Sequence, residues 1–275
     1  AQFTGETLSL TETSAGTSNL VINVASGTTA TFTNLTAGSG FTNGSDTITI
    51  SGVGCNENIT GPNLVTTING GSGDDTIVAG TQNDTIDGGD GEDTLTGGTG
   101  DDTYLFDTND VDGNESITEN PGEGTDVIKL SSNTNFSNMT VASFNEIEVI
   151  NLGNNRTGTF TGAQLTGETL DLQESGSGTS GIIISMGSGT TGTFTNITAS
   201  SFDNGSDTFT INGTSGNENI TGANIVTTIV AGTGDDTVVA GTQNDIIDGG
   251  DGADSLTGGS GDDVYLFDAG DVDSG

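Results

Sequence analysis

Histidine and tryptophan are missing altogether from this chain, and Lys129 and Arg156 are its only basic residues. Set against 39 acidic residues, they leave a formal net charge of −37. Nothing here neutralises phosphates, so nucleic-acid binding is excluded, and anionic membrane surfaces repel the chain. Acid–base and lyase constellations lack their usual parts, since histidine is absent and both cations are isolated. No enzymatic site is expected. Arg156 lies in a GNNRTGT turn and reads as a solvated charge. Cys55 stands alone, which removes any internal disulfide; it reads as an idle or buried thiol. No apolar run is long enough to span a membrane. No signal-peptide pattern opens the chain, which reads as a piece of something longer. The hydrophobic share, 29%, is low for one thick core, whereas a thin solenoid buries only a few side chains per coil. No useful stretch has helical 3.6-residue periodicity, so the expected class is all-β.

What is abundant is glycine, 47 residues, and it is ordered. Residues 70–105 read GGSGDDTIV-AGTQNDTID-GGDGEDTLT-GGTGDDTYL, four nonapeptides approximating G-G-x-G-x-D-x-U-x with U a large apolar residue. The first six residues make a tight turn, the sixth (Asp75, Asp84, Asp93, Asp102) sets a carboxylate on it, and the last three form a short strand. Ile77, Ile86, Leu95 and Tyr104 then point inward. Two nonapeptides make one coil, so Asp75 stacks over Asp93 and Asp84 over Asp102, about one strand spacing (~4.8 Å) apart. Stacked carboxylates repel unless a cation rich in oxygen ligands sits between them, and calcium, which takes six to eight oxygens, fits that demand. Acidity and motif thus imply one partner, Ca2+, with several ions per block. Acid is expected to act like a chelator, because protonated aspartates are poor ligands.

The block recurs at 231–266 as AGTGDDTVV-AGTQNDIID-GGDGADSLT-GGSGDDVYL, with Asp236, Asp245, Asp254 and Asp263 at the sixth places. Residues 1–51 likewise align with 163–212. The expected organisation is a first long repeat unit, 1–162, with coils 1–69, the block 70–105, and an acidic loop with connecting coils 106–162. A second, truncated unit, 163–275, has coils 163–230, the block 231–266 and an acidic tail 267–275. The frame opens mid-pattern and stops abruptly, so the native chain is expected to continue both ways. Between blocks, alternating segments predict strands at Leu20–Val24, Thr31–Leu35 and Thr47–Ile50, and again at Ile182–Met186, Thr193–Ile197 and Thr208–Ile211. Nonapeptide-length segments there carry Glu57 and Glu218 at the sixth place, and the next pair carry Thr66 and Thr227. In 106–120, Asp107, Asp110, Asp112, Glu115 and Glu119 are placed to gather another cation. An EF-hand is not expected, since Thr108 holds the first ligand place and no helices flank the loop. Asp126 is the sixth residue of PGEGTDVIK.

The nonapeptides, with ENPGEGTDVIKLSS and FNEIEVINL between blocks, resemble the RTX (repeats-in-toxin, hemolysin-type) calcium-binding family. The resemblance implies a right-handed parallel β-roll or β-helix solenoid with calcium between turns n and n+2. It also implies type I secretion and folding outside the cell. Carried over residue by residue, the metal ligands are Asp75, Asp84, Asp93, Asp102, Asp236, Asp245, Asp254 and Asp263. Glu57 and Glu218 are weaker candidates beside Asp75 and Asp236, and Asp126, Asp110 and Asp112 are further ones. Gln82 and Gln243 depart from the pattern at the fourth place, where a left-handed backbone is expected.

The long repeat is similar in style to bacterial surface-layer proteins and large secreted adhesins. The expected role is therefore a calcium-dependent structural segment of an extracellular surface layer or filament that associates with itself. A stalk of an adhesin, or the export and folding module of a secreted enzyme or toxin, remains open beside it.

Overall fold

The computed structural model describes residues 8–11, 16–42, 44–203 and 205–268. The opening residues of the first repeat and the tail beyond Asp268 lie outside them. Among the described residues, short strands dominate, and the only helical turns are Val141–Phe144 and Gly162–Leu165. The pairings within both units are parallel. A register of 18 residues inside the blocks sets Thr76 beside Thr94 and Thr85 beside Thr103. Two nonapeptides therefore close one coil.

The chain divides into two compact units, Ala1–Lys129 with Asn138–Glu148, and Leu130–Ser137 with Val149–Gly275. In the first, one sheet runs Thr29–Thr31, Asn58–Thr60, Thr76–Gly80, Thr94–Gly98, Ser116–Thr118. The other runs Asn19–Asn23, Thr47–Ser51, Thr67–Ser72, Thr85–Asp90, Thr103–Phe106. In the second unit, one sheet runs Thr157–Thr161, Gly181–Ser185, Thr208–Asn212, Thr228–Val230, Ile246–Asp248, Val264–Leu266. Another runs Thr191–Thr193, Asn219–Thr221, Thr237–Gly241, Ser255–Gly259. Packing boundaries at 130 and 149 precede the sequence-repeat boundary at 162. A repeat frame marks duplication and says nothing of where packing is weakest.

Alternation along each strand sends one file of side chains inward. Ile59, Ile77, Leu95 and Ile117 stack down one sheet of the first unit, and Ile50, Ile68, Ile86 and Tyr104 down the other. All are buried. The second unit repeats this with Ile211, Ile229 and Ile247, and adds a stacked ring pair, Phe136 and Phe160, with centroids 4.9 Å apart. A core one or two side chains wide is what a 29% apolar composition can fill.

Two of the expected strands are corners instead. Residues 31–35 and 193–197 each split into strand, three-residue turn and strand, with Leu35 N–H donating to Phe32 O (2.8 Å) and Ile197 N–H to Phe194 O (3.1 Å). Phe32 and Phe194 are buried at the bend, so an apolar residue here marks the inside of a corner rather than a strand face.

Glycine at the second place is demanded twice over. Gly89 has φ +91°, and a Cβ there would collide with the carbonyl oxygen of Gly71 in the preceding coil. Gly122, with φ +71°, faces open space. Gln82 and Gln243 correct an expectation, since neither adopts positive φ. Gly73, Gly91 and Gly100 take the left-handed bend at that place, and so does Cys55 (φ +103°), the fourth residue of 52–60.

Gly122→Ala is expected to cost only the left-handed penalty, about 1–2 kcal/mol. Gly89→Ala is expected to cost more than that, because coils must part to admit the methyl group. Denaturant unfolding of both variants at one fixed calcium concentration checks the order.

Candidate metal centre

Parallel stacking builds two carboxylate ladders along the first unit. Ahead of one sheet, Asp75 Oδ1 accepts Glu57 N–H (2.6 Å), Asp93 Oδ1 accepts Asp75 N–H (2.7 Å) and Glu115 Oε2 accepts Asp93 N–H (2.9 Å). Ahead of the other, Asp84 Oδ1 accepts Thr66 N–H (2.7 Å) and Asp102 Oδ1 accepts Asp84 N–H (2.7 Å). Asp126 Oδ1 then accepts Asp102 N–H (2.9 Å), and Glu148 Oε2 accepts Asp126 N–H (2.7 Å). The second unit has the same rungs, Glu218 to Asp236 (2.6 Å), Asp236 to Asp254 (2.9 Å), Thr227 to Asp245 (2.8 Å) and Asp245 to Asp263 (3.0 Å). Each sixth-place aspartate thus spends one oxygen on the neighbouring coil's backbone.

The other oxygen is the informative one. The second carboxylate oxygens of Asp75, Asp84, Asp93, Asp102, Asp236 and Asp245, with Glu57 Oε2 and Glu115 Oε1, are buried and have no hydrogen-bond partner. An ionised carboxylate taken from water with an oxygen unmatched costs several kcal/mol, so a stack of them demands a counter-charge. In three turns of the first block a first-place glycine leaves room for this oxygen. A Cβ on Gly70, Gly88 or Gly97 would collide with Oδ2 of Asp75, Asp93 or Asp102, and one on Gly70 would also meet Gly88 O. These three turns therefore keep a small space beside the carboxylate oxygen, walled at Gly70 by a carbonyl oxygen as well. Hard oxygen donors, no nitrogen and no sulfur suit calcium.

Contrast with other acids sharpens this. Asp46 and Asp207, in the coils upstream of the blocks, have both oxygens satisfied by backbone N–H groups, Ser18 and Thr42 for Asp46, Ser180 and Asp203 for Asp207. Glu218 is likewise complete, taking Gly189 N–H on Oε1 and Thr214 N–H on Oε2. Its counterpart Glu57 accepts Gly27 N–H on Oε1 (2.6 Å) and keeps Oε2 unpartnered. The threonines at the next sixth places turn inward to their own turns, Thr66 to Leu64 O (2.6 Å) and Thr227 to Ile225 O (2.8 Å).

The sequence candidates thus separate. The eight sixth-place aspartates and Glu57, Glu218 and Asp126 all join ladders; Asp254 and Asp263, in the last described coils, are half-exposed. Asp110 is buried outside the ladders, its carboxylate accepting Asp107 N–H, and Asp112 is exposed. Of the acidic loop, Glu115 joins the Asp75–Asp93 ladder and Glu119 lies beside Asp102 and Asp126. Glu148 was missed altogether. The rungs to Glu115, Asp126 and Glu148 span 22, 24 and 22 residues instead of 18, so a fixed period passes over them. Cys55 is exposed, not buried.

A family profile, that of the RTX calcium-binding nonapeptide repeat, matches residues 69–104 and 229–271 in four copies. These blocks are RTX calcium-binding repeats. No curated protein and no solved structure matches the chain. In the RTX blocks, Asp75, Asp93, Asp84, Asp102 and their second-unit counterparts would hold calcium, with turn carbonyls beside them. The ion supplies the positive charge that the stacked acids lack.

Burial pushes these carboxyls upward. Asp84 rises to about 8; Asp93 rises to about 7, with Asp75 adding repulsion; Asp75 itself rises to about 6. Glu115 rises to about 9 and Asp126 to about 6, both by burial first, and Asp102 and Asp236 move the same way. The metal-free folded chain therefore binds more protons than the unfolded one across this range, and its stability falls as pH rises. Acid weakens calcium binding, as the sequence implies, yet it also relieves the metal-free stack. In excess chelator, β-structure by circular dichroism is expected to grow as pH drops from about 9 to about 5. In calcium, the concentration needed for folding is expected to rise over the same drop. Metal-free β-structure that fails to grow on acidification contradicts this electrostatic reading.

Proposed function

We propose that this chain is a calcium-dependent structural segment of a secreted bacterial surface protein, a surface layer or extracellular filament, and that it has no catalytic role. The observation that carries the reading is the set of buried, unpartnered carboxylate oxygens, filed along the first unit and present at Asp236 and Asp245 in the second. They make the compact state dependent on an external cation. Calcium bound only by the folded state contributes its binding free energy to folding. A chain exported unfolded would then fold where calcium is plentiful. Duplication supports a structural role, because a second copy adds coils and creates no new pocket chemistry. Among the described residues, no helix is long and apolar enough to cross a membrane.

The reading includes self-association, which the exposed side chains of the last described coil support. Val264, Tyr265, Leu266 and Phe267 are 39–67% exposed, whereas Tyr104 and Phe106, at the matching places of the first unit, are buried under later coils. An uncovered strand edge carrying aromatic residues invites another coil, from the same chain or a second copy.

The purified chain is expected to be coil-like in EDTA at neutral pH and to gain β-structure when calcium is restored. An unchanged spectrum in EDTA at neutral pH overturns the reading. Ordered sheets or filaments in calcium, seen by electron microscopy, favour the lattice role, and monomeric rods favour a spacer within a larger adhesin.

A further inference from the structure

Glu119 lies outside both RTX matches and outside the nonapeptide frame, yet it meets the last turn of the first block at a single point. A Cβ on Gly97 would collide there with Asp102 Oδ2 and Glu119 Oε1 and would lie 2.7 Å from the Tyr104 hydroxyl oxygen. Three side-chain oxygens, two from the block's last turn and strand and one from the connecting segment, therefore converge on the space that glycine leaves open. One carboxylate oxygen each from Asp102, Glu119 and Asp126 lies within 4.8 Å of the other two. Two ligands of one calcium, each about 2.4 Å from it, stand no more than about 5 Å apart, so this spacing admits a shared ion.

Acid proximity alone would not make a site. The second observation is Asp102, fully buried, whose Oδ2 has no hydrogen-bond partner and points into this space. The remaining contacts orient the group: Tyr104 OH donates to Glu119 Oε1, Gly98 N–H donates to Glu119 Oε2 (3.3 Å), and Asp102 N–H donates to Asp126 Oδ1 (2.9 Å). Resting on the calcium reading of the blocks, the geometry points to a closing cation site. Asp102, Glu119 and the Tyr104 hydroxyl are its ligands, with Asp126 beside it, and it staples the connecting coil onto the end of the repeat. Its ligand class differs from the repeat sites in recruiting a glutamate from beyond the block and a neutral phenol.

The second block supplies an internal comparison. Tyr265 holds the same place, accepting Gly258 N–H at 2.7 Å, and a Cβ on Gly258 would again collide with Asp263 Oδ2. Its described residues hold no counterpart of Glu119. Among the described residues, the first block alone brings a third acidic side chain to this place.

The test counts calcium ions per chain by native mass spectrometry on the 275-residue protein, with circular dichroism alongside. Glu119→Gln is expected to lose one ion per chain and to keep calcium-induced folding. Glu123→Gln, an exposed acid on the same connecting segment, is expected to lose none. An unchanged count in Glu119→Gln, or equal loss in Glu123→Gln, overturns the site. Should Glu119→Gln not fold, terbium luminescence decides it, since Tyr104 and Tyr265 are the only tyrosines and tryptophan is absent. Tyrosine-sensitised emission is expected to be stronger in Tyr265→Phe than in Tyr104→Phe, and equal or reversed brightness overturns the site. A wild-type chain that neither binds calcium nor changes its spectrum defeats the reading of the blocks themselves. A chain that folds with calcium but keeps its count in Glu119→Gln defeats this site alone.

Discussion

A parallel coil laid on its neighbour in register must place like residues over like, and in this chain that sets carboxylate over carboxylate. For isoleucine the stacking is favourable, and the files through Ile68 and Ile86 or Ile77 and Leu95 gain from it. For aspartate it is not. One oxygen of each acid is matched by a backbone N–H from the coil before it, as Asp93 is by Asp75, and the other is left buried without a partner. The same regularity that makes the solenoid thereby makes it deficient in positive charge. A protein with two basic residues in 275 cannot repair that from within.

The acids that do not need a cation show how easily the deficit is avoided. Asp46 and Asp207 fill one oxygen with an N–H of their own turn and the other with one from the coil before, and Glu218 does so with Thr214 and Gly189. In the nonapeptide turns the second oxygen of Asp75, Asp84, Asp93 and Asp102 meets no such donor. The looser coils between the blocks are held by strand pairing, apolar files and the fully bonded Asp46 and Asp207.

Much of this was written in the sequence, because the blocks keep one period and the period is the structure. Ile77, Ile86, Leu95 and Tyr104 are buried as their place in the nonapeptide requires, and the Asp75–Asp93 and Asp84–Asp102 stacks follow from counting. Where coil length drifts, counting fails. Glu115, Asp126 and Glu148 extend the ladders at spans of 22 to 24 residues, and only three-dimensional closure reveals them as successors of Asp93, Asp102 and Asp126. Corners at Phe32 and Phe194 were invisible for a related reason: a buried aromatic at a bend has the same local pattern as one in a strand. Gln82 misled in the opposite direction, since a glycine position in a motif need not be left-handed in every coil.

The central claim is that a divalent cation sits at the unmatched oxygens, and diffraction from crystals grown in calcium addresses it directly. Anomalous density is predicted at the turns, within about 2.3–2.6 Å of Oδ2 of Asp75 and Asp93 and of Asp84 and Asp102. The same coils stacked with no ion at those oxygens, their acids protonated and bonded to one another, would contradict the account.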